Sequence, residues 1–131
     1  MNAYFGGSLY QDIPTQRPEC IKHRDAVEYD SLHHGIRFGT GSYFESLYKD
    51  EQKPMVNSVH HQAVKDLGTG LIPQAFCSDD GITEAFIHQD HEPGKVMGVQ
   101  WHPEFFHTLG SKLIDPMKTL NPFLSFAGKS L

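Results

Sequence analysis

An imidazole and a carboxylate lie two positions apart where an apolar run ends, in Trp101-His102-Pro103-Glu104. If the run VMGVQW is a strand, residues i and i+2 project to one side, so that His102 and Glu104 lie close together. A carboxylate beside one ring nitrogen fixes the tautomer and leaves the other nitrogen to take a proton from a nucleophile. The spacing predicts two of the three members of a nucleophilic triad. The alternative is an ordinary surface ion pair at the end of a strand, without a catalytic role.

The third member of such a triad would be a nucleophile, and the chain contains two cysteines. Cys20 lies in the polar stretch RPECIKH, where Arg17, Lys22 and His23 would lower its pKa. Cys77 falls inside a strand-like run and reads as a small buried apolar residue. Neither cysteine has the strand-turn-helix context that activates a thiol, and we expect neither of them to be the nucleophile.

Nine histidines raise the question of a metal site. The adjacent pairs His33-His34 and His60-His61 point to opposite faces of a strand, so neither pair chelates one ion. The run from His88 to Glu92 offers mixed ligands, but without the helical spacing of a zinc motif it reads as a solvated loop. The sequence therefore predicts no metal site and no cofactor, and a histidine-based metal-binding protein is the weakest of the alternatives.

Size and charge exclude several classes of protein. The chain has 131 residues, which suits one domain, and 11 basic against 16 acidic residues give a formal charge of −5. This balance does not favour a nucleic-acid partner or an anionic membrane surface. Because the first residues have no signal-peptide pattern and no apolar run is long enough to cross a bilayer, we expect a cytoplasmic protein.

The elements around these residues alternate between short helices and strands. HHGIRF predicts a strand, and Ser42 with Glu45 forms a capping-box pattern before a short helix from Tyr43 to Lys49. Asp79-Asp80-Gly81 between two apolar runs predicts a tight β-hairpin. We further predict a helical piece carrying Val64 and Leu67.

The two remaining elements lie in the last third of the chain. VMGVQW is a continuous apolar run, which predicts a covered, central strand. Asn121 is placed as the cap of a terminal helix, with Pro122 at its first position. The whole pattern is that of an α/β fold with short helices and a mixed sheet.

The chain resembles class I glutamine amidotransferase-like proteins. GVQWHPE is similar to the signature at the C-terminal end of that domain, and VNSVHHQ followed by the Asp-Gly hairpin stands before it in the expected order. Together with GGSLYQDI near the start, these motifs resemble the branch of gamma-glutamyl-gamma-aminobutyrate hydrolases and gamma-glutamyl peptidases. The resemblance implies a flavodoxin-like fold, of which residues 1–131 are the C-terminal half, without the N-terminal strands and the nucleophile elbow.

The resemblance also implies roles for individual residues. His102 would be the general base and acid, Glu104 would orient it, and Ser58, His60 and His61 would lie near a gamma-glutamyl substrate. The nucleophilic cysteine of the family precedes the matching region, so we expect the chain alone to be inactive. The expected activity is hydrolysis of a gamma-glutamyl amide through a thioester, and the alternative is an inactive binding module derived from that domain. An incomplete sheet also predicts self-association or pairing with a complementary N-terminal half.

Overall fold

The structure, a computed structural model, describes residues 1–29, 31–108 and 112–128. Seven strands form one sheet: β1 (Ser8–Tyr10), β2 (His33–Phe38), β3 (Met55–Asn57), β4 (Ala63–Asp66), β5 (Leu71–Cys77), β6 (Thr83–His88) and β7 (Met97–Val99). The helices are α1 (Ile13–Gln16), α2 (Tyr43–Leu47) and α3 (Met117–Ala127), with 3₁₀ helices at Asn2–Phe5 and Pro103–Thr108. The predicted α/β class with short helices is confirmed.

The strands lie in the order β1-β4-β6-β5-β2-β3, and β7 also pairs with β6. Each of these pairings is antiparallel. The β5–β6 hairpin at the centre turns through Asp79, Asp80 and Gly81, and Gly81 has a φ of 76°, which an Asp-Gly turn requires. The predicted hairpin is therefore confirmed.

The predicted helix after Ser42 also forms. Ser42 is its N-cap and accepts a hydrogen bond from the Glu45 amide at 3.1 Å, whereas the Glu45 carboxylate accepts from the Gly41 amide. The helix buries Phe44 against the ring of Trp101, with 5.9 Å between the ring centroids. The main core is thereby joined to the residue that precedes His102.

Three sequence predictions about elements are wrong. The segment carrying Val64 is strand β4, because it pairs with β1 and β6. The helix α3 begins at Met117, where the Asp115 carboxylate accepts the Met117 amide, so Asn121 and Pro122 lie inside the helix and do not start it.

No helix in the described ranges is long and apolar enough to cross a membrane.

The third prediction that differs from the structure concerns β7, for which the sequence predicts a covered, central strand. Its three residues pair with β6, and all three are half-buried. Among the described residues no strand pairs with its other edge. The apolar run therefore ends the sheet on that side, immediately before the candidate site.

Candidate functional site

The site is built where the chain leaves β7 and starts the 3₁₀ helix Pro103–Thr108. The Nδ1 of His102 lies 2.8 Å from the Oε1 of Glu104, which is a hydrogen bond. The two residues flank the first position of this helix, so the pair forms on a helical turn and not on the extended backbone that the sequence suggested. The short distance between the two positions along the chain brings them together in either conformation.

The electrostatics of the pair favour an ionised carboxylate. Partial burial acts to raise the pKa of Glu104, but the hydrogen bond with His102, a backbone hydrogen bond and the charge of His102 together hold that pKa below its usual range. The His102 side chain is 35% exposed, and its ring stacks on Phe105 with 5.4 Å between the centroids. Within the described part of the chain no side chain hydrogen-bonds to the Nε2 of His102. One ring nitrogen is thus oriented by an acid, and the other is available to a reacting group.

Asn57 fixes the backbone of His102 from the opposite strand end. Asn57 is the last residue of β3 and is 4% exposed. Its Nδ2 donates to the His102 carbonyl at 2.7 Å, and its Oδ1 accepts the His102 amide at 2.8 Å. This double contact positions the imidazole, and no local pattern predicts it because 45 positions separate the two residues.

We expect Asn57→Ala to destabilise the protein, because it leaves the amide and the carbonyl of His102 without their partner. Each unpaired polar group costs about 1–3 kcal/mol. Urea denaturation measures the difference, with Asn121→Ala as the matched control because Asn121 is exposed on α3. Equal midpoints for the two variants would contradict this role of Asn57.

The other predicted site residues lie in two different places. Ser58 is fully buried, and its hydroxyl donates to the His23 carbonyl at 2.9 Å. His60 is 7% exposed, and its Nδ1 donates to the Gln62 carbonyl at 2.9 Å. His61 is exposed, and its Nδ1 accepts from Arg24 at 3.3 Å. The segment therefore presents one imidazole to the interior and one to the surface.

A cavity of about 290 Å³ adjoins this segment. Its walls include His23, Arg24, His60 and His61, whereas His102 is not among its lining residues. The pKa of His60 is lowered to about 3, first by burial and then by the charge of His23, with a smaller effect of His102. The cavity and the His102–Glu104 pair therefore lie within electrostatic range of each other.

The cysteines lie in the packing around Ile13 and Ile82, where Cys77 is a buried member of the cluster and Cys20 packs against it. Burial raises the pKa of Cys77 to about 12, and burial followed by the charge of Asp80 raises the pKa of Cys20. The expected lowering of the Cys20 pKa is wrong, because desolvation and Asp80 outweigh Arg17. Among the described residues no cysteine hydrogen-bonds to His102.

We expect iodoacetamide to label Cys20 before Cys77, and both more slowly than a free thiol, because the thiolate is the reactive form. Peptide mass spectrometry after timed labelling at pH 8 measures the two rates. If His102 activated Cys20 as a nucleophile, His102→Ala would slow the labelling of Cys20. We expect the same rate in both proteins.

The Peptidase C26 family matches residues 1–104. The chain belongs to the Peptidase C26 family. Protein NtpR of Enterococcus hirae, which is 36% identical over 114 residues, matches 85% of the chain and 45% of its own length. The "putative glutamine amidotransferase-like protein YvdE" of Lactococcus lactis is 40% identical over 105 residues, which are 79% of the chain and 41% of that protein.

The Peptidase C26 assignment agrees with the fold. The crystal structure of a "putative GMP synthase" protein from Thermoplasma acidophilum superimposes with a TM-score of 0.62 over 97% of the chain at 14% identity. At this identity the likeness concerns the fold alone. The chain spans less than half the length of these two relatives and about half of the solved structure. Family and glutamine amidotransferase-like fold are thus established.

Proposed function

We propose that this chain supplies the histidine and the glutamate of the catalytic site of a cysteine-dependent gamma-glutamyl amide hydrolase. The observation that carries the proposal is the 2.8 Å bond between His102 Nδ1 and Glu104 Oε1, with no described side chain hydrogen-bonded to Nε2. Membership of a peptidase family with glutamine amidotransferase-like relatives supports this kind of chemistry. The narrower gamma-glutamyl branch rests on the motifs VNSVHHQ and GVQWHPE.

The roles follow from the orientation of the ring. Nε2 of His102 takes the proton of a thiol that other polypeptide provides, and the thiolate attacks the carbonyl carbon of the amide. His102 then returns the proton to the departing amine, which leaves a thioester. Water activated by the same nitrogen hydrolyses the thioester and regenerates the thiol. Glu104 stays ionised throughout and stabilises the imidazolium.

The segment from Asn57 to Gln62 forms one wall of the substrate site in this proposal. Asn57 and Ser58 act from beneath by holding the backbone of His102 and His23, and the Nδ1 of His60 bonds to the Gln62 carbonyl within the segment. His61 and Arg24 border the cavity of about 290 Å³ and present polar groups to a gamma-glutamyl carboxylate.

We further propose that residues 1–131 form part of a larger domain, and that the missing nucleophile comes with the strands that cover β7. The open edge of β7 and the half-buried Met97 and Val99 support this. An exposed strand edge is a template for another strand. The chain should therefore form dimers or larger assemblies, or pair with a complementary half.

Sedimentation velocity at several dilutions tests the association. We expect the average mass to exceed one chain at micromolar concentration and to fall on dilution. A compact monomer at every concentration would contradict the proposed open edge.

Release of p-nitroaniline from gamma-glutamyl-p-nitroanilide tests the activity. We expect no turnover by the chain alone and measurable turnover when the portion of the Lactococcus lactis relative that the chain does not match is supplied as a second polypeptide. An assembled pair without turnover would exclude the hydrolase. If the two assembled polypeptides bound a gamma-glutamyl ligand without turnover, the inactive binding module would be favoured. The raised pKa values of Cys20 and Cys77 also support that alternative.

A further inference from the structure

Four buried side chains from four separate segments converge beside the candidate site, and we call them the histidine–glutamate cluster. They are His23 in the loop before β2, His34 in β2, His60 after β3 and Glu84 in β6. All four are buried, and one ligand atom from each lies within 4.8 Å of the others. The proposed hydrolase mechanism does not use this cluster.

Hydrogen bonds determine which ring nitrogens face the cluster. The Nδ1 of His34 lies 3.1 Å from the Gly35 carbonyl, and the Nδ1 of His60 lies 2.9 Å from the Gln62 carbonyl. Because a carbonyl only accepts, Nδ1 carries the hydrogen on both rings. Both imidazoles are buried, and burial favours the neutral form of the ring. Each ring therefore presents the lone pair of its Nε2 to the interior of the cluster.

These two lone pairs face a carboxylate. The Nε2 of His34 lies 3.5 Å from Oε1 of Glu84, and the Nε2 of His60 lies 3.7 Å from the same oxygen. Neither nitrogen and neither carboxylate oxygen has a hydrogen-bond partner in the described part of the protein. The lone pairs of the two nitrogens and of the carboxylate therefore face one another, and no described residue places a hydrogen-bond donor between them.

The spacing of these atoms fits a metal ion better than a shared proton. A proton shared between carboxyl oxygen and imidazole nitrogen brings the two atoms to about 2.7–2.9 Å. Tetrahedral zinc, with bonds of about 2.0–2.2 Å, separates its ligand atoms by about 3.3–3.6 Å. The two observed distances are close to the edges of such a tetrahedron.

The charge of the cluster leads to the same result. Glu84 is 1% exposed, and neither of its carboxylate oxygens has a hydrogen-bond partner among the described residues. An ionised carboxylate in this position is expensive without a positive partner. A divalent cation would provide that partner and keep Glu84 ionised at neutral pH.

We propose that His34, His60 and Glu84 bind a divalent transition-metal ion, with zinc as the ion that best fits two imidazoles and a carboxylate. The bonds from Nδ1 to backbone carbonyls are the outer contacts that orient histidine ligands. The cavity beside His23 and His60 provides an entry path.

The fourth position is open to His23 or to water. His23 Nε2 lies 2.8 Å from Asp80 Oδ2, and its Nδ1 lies 3.3 Å from Ser58 Oγ, so coordination by His23 requires loss of one of these contacts. The ion would tie β2 and β6 to the segment that contains Ser58. Since Asn57 precedes Ser58 and holds the His102 backbone, the metal ion would stabilise the structure beside His102 and Glu104. Metal binding does not depend on the proposed hydrolase activity.

Metal content of the protein purified without an affinity tag tests this proposal. After loading with Zn²⁺ and dialysis, we expect one equivalent by mass spectrometry, and with Co²⁺ the intense visible absorption of a tetrahedral nitrogen–oxygen site. His60→Gln and Glu84→Gln should weaken binding by more than the roughly 10–100-fold that loss of an outer partner costs. Thermal unfolding should shift upward with Zn²⁺ in the wild type and not in Glu84→Gln.

The neighbouring histidines provide matched controls. His33→Gln and His61→Gln alter the exposed member of each pair and should keep the full equivalent. Circular dichroism shows whether each variant is folded, and the Co²⁺ spectrum of the wild type remains informative if a variant is not. The proposal would be overturned if the wild type bound no metal, if Co²⁺ gave a six-coordinate spectrum, or if Glu84→Gln bound the ion as tightly as the wild type. It would also be overturned if binding were lost in a variant of an exposed histidine, namely His33→Gln, His61→Gln or His91→Gln.

Discussion

Replacing His102 with alanine should lower gamma-glutamyl anilide turnover of the assembled enzyme by roughly 10²–10⁴-fold, the usual contribution of a positioned general base. Glu104→Gln should lose activity as well, because the amide neither stabilises the imidazolium nor holds the same tautomer. Initial rates of p-nitroaniline release at saturating substrate measure both effects.

Stability separates a catalytic role of this pair from a structural one. Glu104 is 61% exposed and His102 is 35% exposed, and ion pairs this exposed contribute at most about 1 kcal/mol. The unfolding midpoints of His102→Ala and Glu104→Gln should therefore stay close to the wild type while turnover falls. Exposed His33 provides the control, since His33→Ala should change neither quantity. Turnover that survives in His102→Ala would remove the basis of the proposed mechanism.

Replacing Glu84 with glutamine should stabilise the metal-free protein at pH 8 by on the order of a few kcal/mol, because each unit by which folding raises the pKa of a carboxyl costs about 1.4 kcal/mol once it ionises. Burial raises the pKa of Glu84 from an ordinary 4.5 to about 8 in the folded protein. A group with a raised folded pKa contributes full stability below its unfolded pKa and loses it as pH rises to the folded value. The advantage of the glutamine variant should therefore grow between pH 4.5 and 8.

Urea denaturation in the presence of a chelator at pH 5 and pH 8 measures this difference. Glu92→Gln is the matched control, because Glu92 is exposed after β6. In excess Zn²⁺ the order should reverse, since the ion stabilises the wild type and not the variant. A Glu84→Gln advantage that is constant with pH would contradict the picture of a buried, unpaired carboxylate.

Local patterns predicted the elements that short-range chemistry specifies. The Asp-Gly turn requires positive φ, and the Ser42 cap satisfies an orphan amide, so the hairpin and α2 form where the sequence placed them. β4 differs from prediction for the opposite reason, whereas α3 begins earlier than predicted because the Asp115 carboxylate accepts the Met117 amide. Four residues around Val64 have no strong preference of their own, and pairing with β1 and β6 made them a strand.

The sequence by itself determined the pairing of His102 with Glu104, because the two residues lie two positions apart. It also determined the family, through short motifs that follow one another along residues 1–104. Only the tertiary structure decided that β7 has an open edge and that Asn57 holds His102. It also brought His34, His60 and Glu84 together. The sequence correctly indicated that adjacent histidines face opposite ways, but the inward member of each pair meets a carboxylate more than twenty positions away. The physical reason is that strand pairing and register set these contacts, and no local spacing encodes them.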